Sequence, residues 1–128
     1  MNKLKLALIP FILTVISNAA YGDISLQSVK EVEGTWKLHH TTNSLTDKNI
    51  IERQDTWVFK DGKVTIQHIP RDGGFYDQPP VNYEIEDGKL KVALVGNSRF
   101  DVFTLVEKDS NSMTLKGKFG GYSYFIKK

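Results

Sequence analysis

No cysteine occurs among the 128 residues of the sequence. A disulfide, a cysteine nucleophile and lipid attachment through a cysteine are therefore excluded, and stability must come from burial. The chain also lacks a Gly-x-Ser-x-Gly nucleophile elbow, a phosphate-cradling glycine loop and a His-Glu-x-x-His zinc motif. We therefore predict that the protein is not an enzyme and that it requires no cofactor.

One strongly apolar run, near the start of the chain, fits an export signal. No later run is apolar enough for a membrane helix. "LALIPFILTVIS", Leu6 to Ser17, follows two lysines, and about 12 residues are too few to span a bilayer. Small residues favour cleavage after Gly22, with Ala20 as the alternative. The sequence thus predicts a signal peptide over residues 1–22 and one domain over residues 23–128, located in the periplasm or secreted.

The mature chain also has no excess of positive or negative charge. The whole chain has a formal net charge of +2, but Lys3 and Lys5 lie in the signal, so basic and acidic residues balance in the mature chain. A balanced charge gives no electrostatic attraction for nucleic acid or an anionic membrane. We therefore expect neither as a partner.

The mature chain consists mainly of short β-type runs separated by turn residues. Asp61-Gly62 and Asp87-Gly88 are typical of two-residue type I′ hairpins. The eight runs are "GTWKLHH", "RQDTWVF", "VTIQHI", "VNYEIE", "LKVALV", "RFDVFTLVE", "SMTLKGKF" and "YSYFIKK". Short connections predict an all-β fold, an eight-stranded antiparallel up-and-down barrel that begins with a short N-terminal helical turn.

Gly34-Thr35-Trp36 at the start of the first strand resembles the Gly-x-Trp signature of the lipocalin-like proteins, in particular the small bacterial ones. The resemblance covers nearly the whole mature chain as a layout. It implies a ligand-binding cup whose closed end is spanned by Trp36. It also implies a basic side chain covering that tryptophan, a role open here to Lys127 or Lys128.

Alternation along each strand predicts which side chains face the barrel interior. The expected lining is Trp36, Leu38, His40, Arg53, Asp55, Trp57, Phe59, Val64, Ile66, His68, Tyr83, Ile85, Leu90, Val92, Leu94, Phe100, Val102, Met113, Leu115, Tyr122 and Tyr124. Phe103, Leu105 and Phe125 have the opposite parity, so we expect a bulge in the sixth strand or an exposed apolar patch. Whether the barrel is filled or hollow stays open.

Four polar side chains, His40, Arg53, Asp55 and His68, are predicted to converge at the open rim. Regular strand geometry would send His39 outward and His40 inward, so the doublet cannot bind one metal ion. Zinc would instead need His40, His68 and Asp55. The alternatives are rim polar groups that satisfy one another and an anchor for a small ligand.

The loop "PRDGGFYDQPP" carries Phe75 and Tyr76 between glycines and prolines. Aromatic residues on an exposed loop are typical contact elements. The same pair could instead fold over the barrel mouth as a lid.

The leading hypothesis is a protein that binds a small apolar or amphipathic molecule. Its candidate ligand-binding residues are His40, Arg53, Asp55, Trp57, His68, Phe75, Tyr76, Tyr83 and Tyr124, and no metal ligand is assigned. The alternative is a protein-interaction barrel acting through its rim loops or its N-terminal segment. In that form it resembles small exported inhibitors of metalloproteases, in which the segment before Gly-x-Trp, here "DISLQSVKEVEG", enters the protease cleft. A zinc-assisted reaction at the rim is the third hypothesis.

Overall fold

The computed structural model describes residues 23–96 and 98–128, so the export signal expected over residues 1–22 lies outside them. A 3-10 turn, Val29–Glu31, is followed by eleven strands. These are β1 (Gly34–Thr42), β2 (Ile51–Glu52), β3 (Thr56–Lys60), β4 (Lys63–Gln67), β5 (Ile69–Arg71), β6 (Gly74–Tyr76), β7 (Val81–Glu86), β8 (Lys89–Ala93), β9 (Phe100–Lys108), β10 (Ser112–Gly117) and β11 (Tyr122–Lys127).

Eight of these strands form a closed antiparallel barrel in the order β1, β3, β4, β7, β8, β9, β10 and β11, and β11 pairs back onto β1. The predicted up-and-down barrel is therefore confirmed. β2 extends the sheet beside β1, while β5 and β6 form a separate two-stranded hairpin. Closure leaves no long unpaired edge in the barrel.

Both Asp-Gly pairs form the tight hairpins that the sequence predicts. The φ angles are 53° at Asp61 and 77° at Gly62, and 54° at Asp87 and 76° at Gly88. Positive φ at both central residues is the requirement of a type I′ turn. The two hairpins and the β9–β10 turn lie at the same end of the barrel, which we call the closed end.

At the closed end Trp36 is buried beneath a lysine. Its indole Nε1 donates a hydrogen bond to the Val32 carbonyl oxygen at 2.9 Å. Lys127 Nζ lies 4.7 Å from the Trp36 ring centroid and donates to the Glu33 carbonyl oxygen at 3.2 Å. Of the two lysines that the resemblance offered, Lys127 thus covers the tryptophan. Gly34, at φ 124°, lets that ammonium group approach the backbone.

The N-terminal segment is bound to the closed end. The Ile24 amide donates to the Leu105 carbonyl oxygen at 2.7 Å, and the Leu26 amide donates to the Gly88 carbonyl oxygen at 2.9 Å. Leu26 is 2% exposed, which places an apolar side chain of this segment in the core. The segment therefore acts as a plug for the barrel.

Side chains fill the barrel from the closed end upward. The buried hydrophobic core consists of Leu26, Val32, Trp36, Leu38, Phe59, Val64, Tyr83, Leu90, Val92, Leu105, Met113, Leu115 and Phe125. The lower part of the barrel is therefore filled by side chains and not hollow.

The prediction of which side chains of β9 and β11 point into the barrel is wrong. Phe103 and Phe125 point inward, with ring centroids 5.8 Å and 5.1 Å from that of Trp57. Their neighbours Phe100, Val102, Tyr122 and Tyr124 therefore face outward, and Lys91 Nζ lies 4.9 Å from the Phe100 ring centroid on the outer surface. Both parities of these strands are apolar, so alternation alone could not choose between them.

The bulge expected in the sixth strand is present. Thr114 is opposite Glu107, whereas Leu115 is opposite Leu105, so Val106 is the extra residue of β9. The shift turns Glu107 outward while Leu105 stays in the core.

The end opposite the Asp-Gly hairpins, which we call the open end, carries the longer connections. They are residues 43–50, residues 68–80, which contain the β5–β6 hairpin, and residues 118–121; residues 94–96 and 98–99 lie between β8 and β9 at the same end. In the described part of the chain, no helix is both long and apolar enough to cross a membrane.

Candidate functional site

Two adjoining recesses lie at the open end, above the filled part of the barrel. The inner recess has a volume of about 140 Å³ and is lined by Trp57, Ile66, Gln78, Val92, Ala93, Leu94, Val95, Asp101 and Phe103. The outer recess, of about 320 Å³, is lined by Thr41, Thr42, Asn43, Asp101, Val102, Phe103, Gly117, Lys118, Phe119, Gly121, Tyr122 and Ser123. Asp101 and Phe103 line both recesses, which therefore adjoin at β9, and we refer to the two recesses together as the cup.

Trp57 forms the wall between the cup and the core. Its ring lies 6.0 Å from Phe59 and 5.1 Å from Phe125, measured between ring centroids. Its indole Nε1 is buried and has no hydrogen-bond partner among the residues that the structure describes. A buried donor without an acceptor costs about 1–3 kcal/mol. The Trp57 indole N–H is therefore free to donate a hydrogen bond to a bound molecule. The prediction that Trp57 faces the interior is confirmed.

Asp101 and Gln78 add polar groups to the lining of the inner recess, and the sequence interpretation missed both. Asp101 has the same parity as Phe103 and Leu105, which point inward, so correct facing of β9 would have identified it. Gln78 is in the loop before β7, and its amide donates to the Ile66 carbonyl oxygen at 2.8 Å. Loop residues carry no alternation, so no sequence signal marked Gln78.

Arg53 and Asp55 form a bidentate ion pair where the second barrel strand begins. Arg53 Nε lies 2.9 Å from Asp55 Oδ1, and Arg53 Nη2 lies 2.8 Å from Asp55 Oδ2. Asp55 is 3% exposed. The hydrogen bond to Asp55 raises the pKa of Arg53 above its ordinary value. Each group thus neutralises the other, and neither lines the inner or the outer recess.

His40 and Tyr124 face the outer surface and not the cup, which corrects the prediction for both. β1 shifts register against β11 between Leu38 and His40, so the alternation that Leu38 follows is broken. The His40 ring stacks on the Tyr124 ring with 4.3 Å between centroids and 14° between planes. Tyr124 neighbours the inward-facing Phe125 in β11 and is therefore outward.

His68 also lies outside the predicted rim cluster. Its φ of 59° ends the extended conformation of β4 one residue after Gln67. Its ring stacks on Phe75 with 3.7 Å between centroids and 13° between planes, and its backbone amide donates to Asp77 Oδ1 at 2.9 Å. His68 is therefore tied to the β5–β6 hairpin.

The polar convergence that would have held zinc does not form. Asp55 is inside the barrel, His40 is on the outer wall beside β11, and His68 is beside the hairpin. Among residues 23–96 and 98–128, no three histidine, aspartate or glutamate side chains are grouped so that they could hold a metal ion.

The remaining candidates lie at opposite ends of the barrel. Phe75 is 51% exposed and Tyr76 is 37% exposed, and Arg71 lies over the Tyr76 ring at 4.9 Å. Tyr83 is buried near the closed end, where its hydroxyl donates to the Val29 carbonyl oxygen at 3.4 Å. Burial raises the pKa of Tyr83, and nearby carboxylates add to the effect. Tyr83 is therefore a core residue outside the cup.

Large apolar side chains surround the open end. In the described part of the chain eight large apolar side chains are exposed, and seven of them are in the loops of this end or in β2 beside these loops: Leu45, Ile50, Ile51, Phe75, Tyr76, Val95 and Phe119. Phe119 is 93% exposed, next to Lys118, whose Nζ lies 5.4 Å from the Phe119 ring centroid. The cup therefore opens into an apolar rim.

Comparison with known proteins supports the fold but indicates no function. No protein-family model matches the sequence, and no curated protein matches it. Among solved structures, the chain is similar to the crystal structure of an uncharacterized protein from Bacteroides eggerthii, with 15% sequence identity and a TM-score of 0.61. The match covers 75% of this chain and 98% of that chain. At this identity the likeness shows the shared fold alone.

Proposed function

We propose that the protein is an exported, lipocalin-like barrel that binds a small apolar or amphipathic molecule in the cup at its open end. The observation that carries the proposal is the buried Trp57 Nε1, a donor without an acceptor in the wall of a mainly apolar recess. Natural proteins seldom leave such a donor unsatisfied unless water or a ligand completes it.

The lining also indicates the chemistry of the ligand. Ile66, Val92 and Leu94 provide apolar contact, so the body of the molecule would be a compact hydrocarbon. The indole donor calls for an acceptor oxygen on that body, such as a carbonyl. Asp101 can accept a hydrogen bond from a hydroxyl or amine at the other side of the recess. At about 140 Å³, the inner recess would take one ring, with larger substituents in the outer recess.

One further observation supports binding over catalysis. Arg53 and Asp55, the polar pair most like a catalytic dyad, bond to each other. Export and the resemblance of the Gly-x-Trp layout to lipocalin-like proteins remain predictions from the sequence.

The test compares two probes of similar shape in a titration followed by amide and indole NMR. Cyclohexanone has an acceptor oxygen, and methylcyclohexane has none. We expect cyclohexanone to shift the Trp57 indole N–H resonance downfield, because the donor gains a partner. The Trp36 indole N–H, already bonded to Val32, provides an internal control that should stay unchanged.

The Trp57→Phe variant keeps an aromatic ring and removes the donor. We expect it to bind cyclohexanone more weakly than the wild-type protein does and to keep its affinity for methylcyclohexane, because only the ketone loses a hydrogen bond. If neither probe moves the Trp57 resonance, and native mass spectrometry of protein purified from its own host finds no bound molecule, the proposal is wrong.

The second candidate function, protein interaction, is favoured by the apolar rim. A partner would contact Phe119 and the β5–β6 hairpin, whose Phe75 and Tyr76 are exposed. The alternative route through the N-terminal segment has less support, because Ile24 and Leu26 are bonded to the barrel. Deleting residues 23–27 should abolish metalloprotease inhibition if that route operates. Phe119→Ser should instead weaken an interaction made through the rim.

A further inference from the structure

Two adjacent histidines present their rings on the same side of the barrel wall. His39 Nδ1 and His40 Nδ1 are 2.8 Å apart, and the ring centroids are separated by 5.0 Å with 82° between the planes. Neighbouring residues of a regular strand point to opposite faces, so the backbone must be irregular here.

The irregularity is a bulge that β1 forms against β11. Leu38 pairs with Phe125 and His40 pairs with Tyr124, so one residue of β1 is extra. On the other side the Leu38 amide bonds to the Asp55 carbonyl oxygen and His40 pairs with Glu52, so there the extra residue belongs to the partner segment and not to β1. In a bulge two residues of one strand oppose one residue of its partner and can share a face. The expectation that the doublet must divide between two faces is therefore wrong.

We propose that His39 and His40 bind one divalent copper ion through their Nδ1 atoms, on the outer wall of the barrel. Imidazole nitrogens bind divalent first-row metals at about 2.0 Å. Two such bonds at a right angle place the nitrogens about 2.8 Å apart, whereas a tetrahedral angle requires about 3.3 Å. The observed separation of 2.8 Å lets both nitrogens reach one ion with little movement of the rings, and copper binds such nitrogen sites more strongly than the other divalent first-row ions.

The surroundings of the doublet hold it in place and offer a further ligand. Tyr124 stacks on the His40 ring at 4.3 Å, which limits rotation of that ring. Glu52 is the cross-strand neighbour of His40, and its exposed side chain is long enough to turn toward the pair. Within the described residues no third ligand is already in position, so water would complete the coordination.

Metal binding requires a change of tautomer in one of the two rings. In the metal-free protein one Nδ1–H donates to the other Nδ1. Metal binding would move that proton to Nε2 of the same ring through water, and both rings would then offer Nδ1 lone pairs. The charge of the two rings does not change in this step.

The test is a titration of the tag-free protein with copper(II) chloride in a non-coordinating buffer. We expect one copper per chain and an electron paramagnetic resonance spectrum with coupling to two nitrogens. The His39→Ala and His40→Ala variants should each bind copper about 100-fold more weakly, because the second ligand no longer adds its chelate effect. Zinc chloride should bind more weakly than copper by tenfold or more.

His68→Ala is the matched control, since it removes the third histidine of the chain and lies beside the hairpin. It should leave the copper affinity and spectrum unchanged. Circular dichroism verifies that each variant is folded, and Tyr124→Phe, which keeps the stacked ring, should retain copper binding. Equal affinity of the wild-type protein and both doublet variants, or a spectrum without nitrogen coupling, would overturn the proposal.

Discussion

Lys127 covers Trp36, with its Nζ 4.7 Å from the ring centroid and its ammonium group bonded to the Glu33 carbonyl oxygen at 3.2 Å. The contact joins the last strand to the first at the point where the barrel closes. A cation over an indole ring contributes about 0.5–1 kcal/mol at an exposed site, and the alkyl stem excludes water from the ring.

Lys127→Ala should therefore lower the free energy of unfolding by about 1 kcal/mol, as measured by urea denaturation. Lys127→Arg keeps both the charge and the cover and should cost less. Lys128→Ala is the control at the neighbouring position, where no cation–π contact with Trp36 exists. A loss as large for Lys128→Ala would contradict the role of Lys127.

The ion pair of Arg53 and Asp55 predicts an asymmetric response to substitution. Arg53→Ala leaves a carboxylate that is 3% exposed without its partner and should cost about 3 kcal/mol. Asp55→Ala leaves an arginine side chain that is 31% exposed and can reach water, so we expect a loss nearer to 1 kcal/mol. Urea denaturation of both variants and of the double variant gives the coupling free energy.

Gln54→Ala, between the two charged residues and exposed, is the matched surface control for that cycle. Equal losses from the two single variants would mean that Asp55 is hydrated in solution and not buried.

The two Asp-Gly hairpins differ in the space around their glycines, and alanine substitution can measure this difference. A Cβ atom at Gly62 would meet nothing within 4 Å, whereas one at Gly88 would overlap Ser25 Oγ. Both glycines have φ near 76–77°, so alanine adds the same backbone strain at each. Gly88→Ala should therefore be less stable than Gly62→Ala by about 1–2 kcal/mol, the usual cost of overpacking.

Ser25→Gly in the Gly88→Ala background should recover that difference, because it removes the obstructing side chain. If Gly62→Ala and Gly88→Ala unfold at the same urea concentration, the N-terminal segment does not pack on the closed end in solution.

Asp109 gives the fold a pH-dependent contribution at the β9–β10 turn. Its Oδ1 accepts hydrogen bonds from the Asn111 and Ser112 amides, both at 2.8 Å, and from the Ser112 hydroxyl at 3.1 Å. The Asn111 bond is the largest of the causes that lower the pKa of Asp109. Because the folded-state pKa lies below the unfolded one, the stabilisation is present above the unfolded pKa of about 3.9. It is lost as pH falls through the folded-state pKa.

Thermal unfolding of the wild type and Asp109→Ala from pH 7 to pH 2 measures this effect. Asp109→Ala should melt at a lower temperature at pH 7, and the difference should close below pH 4. A difference that stays constant over the whole range would mean that the carboxylate charge contributes nothing.

The eight strands of the barrel and their pairing could be predicted because the information is local, whereas β2 and the β5–β6 hairpin, in segments interpreted as loops, were not. Asp61-Gly62 and Asp87-Gly88 fix two hairpins through the φ angles that only such residues adopt at low cost, and Gly34 with Trp36 marks the first strand. Each of these signals depends on residues next to one another in the sequence.

The facing of the later strands could not be predicted, because it depends on long-range register. In β11 both Tyr124 and Phe125 are apolar enough for the core, and only pairing with β10 makes Phe125 the buried one. The bulge at His39 and His40 is likewise fixed by pairing with β11. That strand is far from the doublet in sequence.

The position of the His68 side chain could not be predicted for a third reason, the local backbone conformation. Its side chain would have faced inward if β4 had stayed regular, but a positive φ at this position is uncommon for a residue other than glycine. Stacking on Phe75 and the bond to Asp77 hold it there, and both partners follow seven or more residues later.

The two Asp-Gly hairpins lie at the closed end of the barrel, and the two longest connections, residues 43–50 and 68–80, lie at the open end. Insertions or substitutions in the long loops would change the rim of the cup without disturbing the hairpins that establish strand register. Selection can therefore act on ligand choice and on folding at separate places in the chain. Homologues of this barrel should differ most at residues 43–50 and 68–80 and least around the Asp-Gly turns, even where they bind unlike molecules.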